Sequence, residues 1–123
     1  MQTKIDGRNA EPLPLAPFLC DAAAVGRYAE LSGDYNPIHV DEAYAAATDF
    51  GRCIVHGTMM VAPLWDHLAG IAAGGVWKVR FVRPAAVGSV LFYHRGRDEN
   101  AGSYWVTDCE GVIFVSIEGG GNG

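Results

Sequence analysis

Apolar positions along the chain repeat with a helical period up to Gly74 and with a period of two from Gly75 onward. The first predicted helix is "DAAAVGRYAELSG". Asp21 is its N-cap, Ala24, Val25, Tyr28 and Leu31 form its apolar face, and Gly33 suits the left-handed position past its end. A second, short helix is predicted over "DEAYAAATDFG", with Asp41 as N-cap, Glu42 in the first turn and Gly51 beyond its end. The stretch "HGTMMVAPLWDHLAGIAAGG" differs from both. Met60, Leu64, Leu68 and Ile71 make one stripe, and Val61, Trp65 and Ala72 a second, so this helix is apolar nearly all round and should be buried. Pro63 removes one backbone donor and is expected to kink or restart it near its first turn or two.

Beyond Gly75, "VWKVRFV" alternates Trp77, Val79 and Phe81 with Lys78 and Arg80, and "SVLFYHRGR", "SYWVTD" and "GVIFVSIE" read as further strands. "DENAG" and "DCEG" have turn compositions, giving a meander of at least four strands. An N-terminal strand is limited by Pro12, Pro14 and Pro17 to an edge, or to residues before Glu11. Helices first and strands after indicate an α+β fold in which an antiparallel sheet wraps around the central buried helix. A half-wrapped sheet leaves an edge open, and pairing of that edge in a dimer is the natural remedy.

The chain has 123 residues, half of them hydrophobic and 19% charged, which fits one globular domain over 1–123 with a frayed tail at 119–123. A formal net charge of −5 with nine Lys and Arg argues against nucleic acid as a partner. No apolar run approaches the roughly eighteen residues of a membrane span, and "MQTKIDGRNAEPLPLAP" has no apolar leader segment. Cys20, Cys53 and Cys109 are an odd number without metal-site spacing. Together these suggest a cytoplasmic protein with free thiols, no metal and no cofactor.

The chemistry concentrates in "SGDYNPIH". Read locally, Gly33 caps a helix, Asp34 makes an Asx-type cap, and Asn36-Pro37 makes a turn into His39. Pro37 also biases Asn36 toward an extended conformation, so the segment is expected to be an irregular loop. Such a loop can aim Asp34 and His39 at one point, whereas five helical steps would turn them apart by about 500°.

The longer string "YAELSGDYNPIHVDEAYAAATDFGRCIVHGTMM" resembles the MaoC-like family of (R)-specific enoyl-CoA hydratases and dehydratases. The core of the resemblance is Gly33-Asp34-x-Asn36-Pro37-x-His39 followed by "IVHG" at Ile54 to Gly57, with a weaker match in "FVRP" at Phe81 to Pro84. It implies the hot-dog fold and reversible addition of water to a trans-2-enoyl thioester of coenzyme A or an acyl carrier protein. Asp34 and His39 would then be the catalytic pair, Asp34 acting toward the water with His39 as its hydrogen-bonded partner. The Gly57 N–H, at the positive end of the central helix, would hold the thioester carbonyl. Asn36, His56 and Trp65 would be pocket or supporting residues, and a homodimer is implied.

In well-studied members a serine on the central helix supports the aspartate; Trp65 takes that position here, with Ala62 at a nearby one. Trp65 would donate its indole N–H to Asp34, fill the tunnel and shorten the accepted chain, or simply belong to the core. Two other readings stay open. One is a hot-dog thioesterase using Asp66; the other is an acyl-binding or heterodimer subunit whose site Trp65 has closed. Lys78, Arg80, Arg83 and Arg52 either meet the carrier's phosphates or form solvated surface.

Overall fold

The computed structural model describes residues 3–69 and 75–119. Its elements are β1 (Ala10–Pro12), β2 (Phe18–Cys20), α1 (Ala22–Ser32), α2 (Pro37–Val40), α3 (Glu42–Ala46), α4 (Gly57–Leu68), β3 (Trp77–Phe81), β4 (Ser89–Gly96), β5 (Ser103–Thr107) and β6 (Ile113–Gly119). The strands form one antiparallel sheet in the order β1-β4-β5-β6-β3, with β2 also paired to β4. This is the α+β arrangement expected, a meander laid against the central helix.

Alternation along the strands divides the sheet into two faces. Leu91 and Tyr93 of β4, Val106 of β5, and Val115 and Ile117 of β6 turn inward against Met60, Leu64 and Leu68 of α4. Each large side chain so buried contributes about 1.5–3 kcal/mol. Trp105, between the inward positions of β5, instead joins Ala10 and Ile113 in a smaller cluster, packed with Ile5 and Val82. A bulge between Val106 and Thr107 shifts the β5–β6 register, which is how Ile113 and Val115 come to serve different clusters.

Several expectations are corrected. Asp21 and Gly33 bound α1 as read: Asp21 Oδ1 accepts from Ala24 N at 2.9 Å, and Gly33 is left-handed at φ 75°. The buried face of α1, however, is Ala24, Val25 and Ala29, and Leu31 is 87% exposed. Small residues let the helix lie close to its support, so the large Leu31 ends outside. Pro37 does not lead an irregular loop. It is the first residue of α2, where its fixed φ suits a helix start and its missing N–H would have had no partner. Asp41 caps α3 as expected, but α3 stops at Ala46 and the chain turns through to Gly51, φ 73°.

Pro63 lies inside α4 rather than breaking it. Pro63 lacks the N–H that would reach Met59 O, while Tyr93 donates its hydroxyl to the adjacent Met60 O at 2.8 Å and ties the helix to β4. Ile71 and Ala72 fall outside the described residues. Pro12 closes an edge strand, as allowed, while β2, starting right after Pro17, was not foreseen. Gly119 is not frayed tail but the last residue of β6, paired with Trp77; residues 120–123 lie outside the described residues. Among the described residues no helix is long and apolar enough to cross a membrane.

Candidate active site

The site forms where α1 ends and α4 begins. After Gly33, Asp34 N donates to Ser32 Oγ at 3.1 Å, Asn36 N to Asp34 Oδ1 at 3.1 Å, and Ile38 N to Asn36 Oδ1 at 3.1 Å. Each polar side chain thus satisfies the amide two residues on, which fixes the turn without regular structure. Asn36 is the N-cap of α2 and shapes this turn. Asp34 uses one carboxylate oxygen to hold the turn and keeps Oδ2 for whatever approaches.

His39 is tied to a distant segment. Its Nδ1 lies 2.8 Å from Ile54 O, and Ile54 N donates to Ile38 O at 3.1 Å. A carbonyl oxygen only accepts, so Nδ1 carries the proton, and Nε2 of the neutral ring is left as an acceptor. Nε2 faces Asp34 Oδ2 at 3.8 Å, with the His39 side chain 11% exposed and that of Asp34 52%. At that separation the two do not hydrogen-bond directly, in contrast to the expected bonded pair, but one water can bond to both.

His56 sits behind them, 1% exposed. Its Nε2–H donates to Asp34 O at 2.9 Å, and its ring stacks on His39 with centroids 3.8 Å apart and planes 22° from parallel. Tyr28 meets the His56 ring edge-on at 4.9 Å and shares a 2.7 Å hydrogen bond with Thr58 Oγ1. His56 Nδ1 is buried with no hydrogen-bond partner among the described residues.

Gly57 opens α4, so its N–H has no acceptor within the helix and lies at the positive end of the helix dipole. A Cβ here would lie 2.9 Å from Phe81 Cε1. The sequence reading missed this close approach, although Phe81 begins the "FVRP" string it had singled out. A cavity of about 280 Å³ brings Gly57 and His39 together, walled by Met60 and Phe81 with Arg83 beside them.

Trp65 stands apart. It is eight residues past Gly57, about 12 Å along the helix at 1.5 Å per residue, and meets Trp77 edge-to-face at 5.6 Å. It does not line the cavity that holds Gly57. Cys53 lies near His39 in a neighbouring hollow, but burial pushes its thiol pKa up, with the charges of Glu42 and Asp41 adding, so it is a poor nucleophile.

One ligand atom each from Asp34, His39 and His56 falls within 4.8 Å of the others. Imidazole binds a metal in the plane of its ring, at about 2.0–2.1 Å for zinc. The stacked rings of His39 and His56 hold their lone pairs in nearly parallel planes, and one nitrogen of each is committed to a backbone carbonyl. Such a cluster suits positioning of a water and proton transfer better than metal coordination.

Comparison with known proteins bears on the family and the overall fold. A family model described as MaoC like domain matches residues 2–101. An (R)-specific enoyl-CoA hydratase of Aeromonas caviae is 53% identical over 49 residues, 40% of this chain and 36% of that protein. A 3-hydroxyacyl-thioester dehydratase Z of Mycobacterium tuberculosis is 40% identical over 74 residues, 53% of this chain and 49% of that protein. These matches span about a third to a half of the relatives' own length. Among solved structures, the (R)-hydratase from A. caviae superposes with a TM-score of 0.66 at 27% identity, covering 97% of this chain and 94% of that one. An R-hydratase from Pseudomonas aeruginosa superposes with a TM-score of 0.69 at 23% identity, covering 97% and 79%. The fold is the hot-dog fold that the sequence implied.

Proposed function

The chain belongs to the MaoC-like domain family, and from that premise we propose that it is a hydro-lyase that reversibly adds water to a trans-2-enoyl thioester. The observation that carries this is the pairing of Asp34 Oδ2 and His39 Nε2, 3.8 Å apart, beside a cavity lined by Gly57, whose N–H at the start of α4 has no acceptor within the helix.

In the hydration direction, a water bonded to Asp34 Oδ2 and His39 Nε2 attacks C3 of the enoyl group. The water oxygen forms the bond to C3 and gives a proton to the pair. The C2–C3 π electrons move toward C1 and leave negative charge on the thioester oxygen. That oxygen accepts the Gly57 N–H, a donor worth about 3–4 kcal/mol where charge develops. The pair returns a proton to C2 and ends the cycle as it began. Because the two groups are coupled, the proton belongs to the pair rather than to either residue. Nδ1–H···O=C to Ile54 keeps the His39 ring oriented throughout.

The (R)-3-hydroxy outcome and coenzyme A as the thioester carrier are supported by the (R)-specific enoyl-CoA hydratase among the relatives, with an acyl carrier protein as the alternative carrier. The outer edge of β3, whose Phe81 is 53% exposed, supports a dimer formed by pairing of two such edges. Three free thiols are consistent with a reducing, cytoplasmic location.

The two other readings are less well supported. Asp66, the carboxylate a thioesterase would use, lies about 13 Å along α4 from Gly57, in a groove with Arg27 and Leu31 of α1. Trp65 packs against Trp77 rather than plugging the cavity at Gly57, so a closed, non-catalytic site finds no support in its position. The direct test is loss of the conjugated enoyl absorbance of a trans-2-enoyl-CoA when the protein is added.

A further inference from the structure

We propose that Arg83 binds the phosphate of the substrate's carrier arm, in a groove that leads out of the reaction cavity along Val82 and Val112 toward Lys4. The proposal rests on the hydro-lyase reading for the class of substrate.

Val82 and Arg83 line two hollows at once. One is the cavity of about 280 Å³ that contains Gly57 and His39; the other is a groove of about 630 Å³ that also includes Lys4 and Val112. A thioester with its carbonyl at Gly57 must send its carrier out past the cavity wall, and this groove begins where that wall ends.

The backbone holds both cationic residues in place beside β6. Val82 N and Arg83 N donate to Phe114 O at 2.8 and 3.3 Å. Lys4 forms a bridge with Val112, while Ile5 N donates to Gly111 O at 2.9 Å and Ile113 N to Thr3 O at 2.9 Å. The Arg83 side chain is exposed at the junction and, among the described residues, forms no ion pair, whereas Arg8, Arg95 and Arg97 are matched to Asp6 and Glu11. On a chain of net charge −5, a phosphate is repelled from most of the surface, so a free guanidinium at the mouth of the reaction cavity selects the route. The other large hollow beside His39 is lined by Glu42 as well as Arg52 and does not include Gly57. It is the less favourable path for an anion.

Coenzyme A and a carrier protein present the same chemistry, a phosphorylated pantetheine arm. Calorimetric binding of butyryl-CoA, a butyryl carrier protein and butyryl-pantetheine, which lacks the phosphate, separates them without needing turnover. Arg83→Gln should weaken a phosphate-bearing ligand about tenfold, with the loss confined to such ligands, and Arg52→Gln should show no such selectivity. A loss seen only with butyryl-CoA assigns coenzyme A as the carrier, a loss seen only with the carrier protein assigns that instead, and a loss seen with both places the contact on the phosphate the two share. Equal losses on all three ligands, no loss on any, selective loss in Arg52→Gln, or a wild-type protein that binds neither phosphate-bearing ligand overturns the proposal. Selective loss in a protein without enoyl turnover would retain the groove and refute the hydro-lyase reading.

Discussion

His39 and His56 lie face to face, ring centroids 3.8 Å apart, and each donates one N–H to a backbone carbonyl, His39 to Ile54 and His56 to Asp34. The buried histidine therefore braces both members of the proposed pair, one through its ring face and the other through its main chain. His56→Phe keeps the stacking surface and removes the hydrogen bond. It should lower kcat about 10- to 100-fold with KM little changed, as expected when reacting groups are slightly misplaced. His56→Gln, which can still donate to Asp34 O, should recover part of the rate. Equal losses in both variants, or a change in KM alone, would show that His56 only fills space.

Gly57 and Phe81 make a second test. The Cβ of Gly57→Ala would meet the Phe81 ring at 2.9 Å, so the ring or the start of α4 must shift. A destabilisation of up to about 1 kcal/mol is expected from such crowding, because the half-exposed Phe81 ring can give way, together with reduced turnover because that ring walls the cavity. In a Phe81→Ala background the same substitution should cost little stability. Thermal melts of the four proteins check this; an undiminished penalty in that background would mean the Phe81 contact is not its source.

His94 sets part of the pH dependence of stability. Thr107 donates its hydroxyl to Asp108 O at 2.8 Å, so its oxygen accepts from His94 Nε2–H at 3.0 Å. Burial lowers the His94 pKa from its ordinary 6.5, so the folded protein favours the neutral ring. The corresponding stabilisation is present above the unfolded-state pKa and is lost as pH falls through the lower folded-state value. The midpoint of thermal unfolding should therefore drop more steeply between about pH 7 and pH 5 in the wild type than in His94→Gln. Parallel slopes would exclude His94 as the source.

What the sequence made legible depended on the range of the interactions involved. The caps at Asp21, Gly33 and Asp41 are set by neighbours within a few residues, and they were readable. The proposal of Asp34, His39 and Gly57 came instead from the resemblance of "GDYNPIH" and "IVHG" to a family pattern, whereas local signals alone gave only a turn through Asp34 and Asn36. The helix start at Pro37 was misread because one local signal, a proline, both stops one helix and begins another. Leu31 was misplaced because periodicity weights large apolar residues, while α1 packs through small ones. The His39–Ile54 bond, the stack on His56 and the contact of Phe81 with Gly57 join segments 15 to 24 residues apart. Only the folded chain brings these together, and they decide which nitrogen of His39 is free and what a side chain at position 57 would meet.

The most direct test of the account is the initial rate at which the protein removes the enoyl absorbance of crotonyl-CoA and of a longer trans-2-enoyl-CoA, measured beside Asp34→Asn and His39→Ala. Turnover by the wild type, with each variant reduced by at least about 100-fold while remaining folded, is the predicted result. Wild-type rates in either variant, or no wild-type turnover at any chain length, would contradict it.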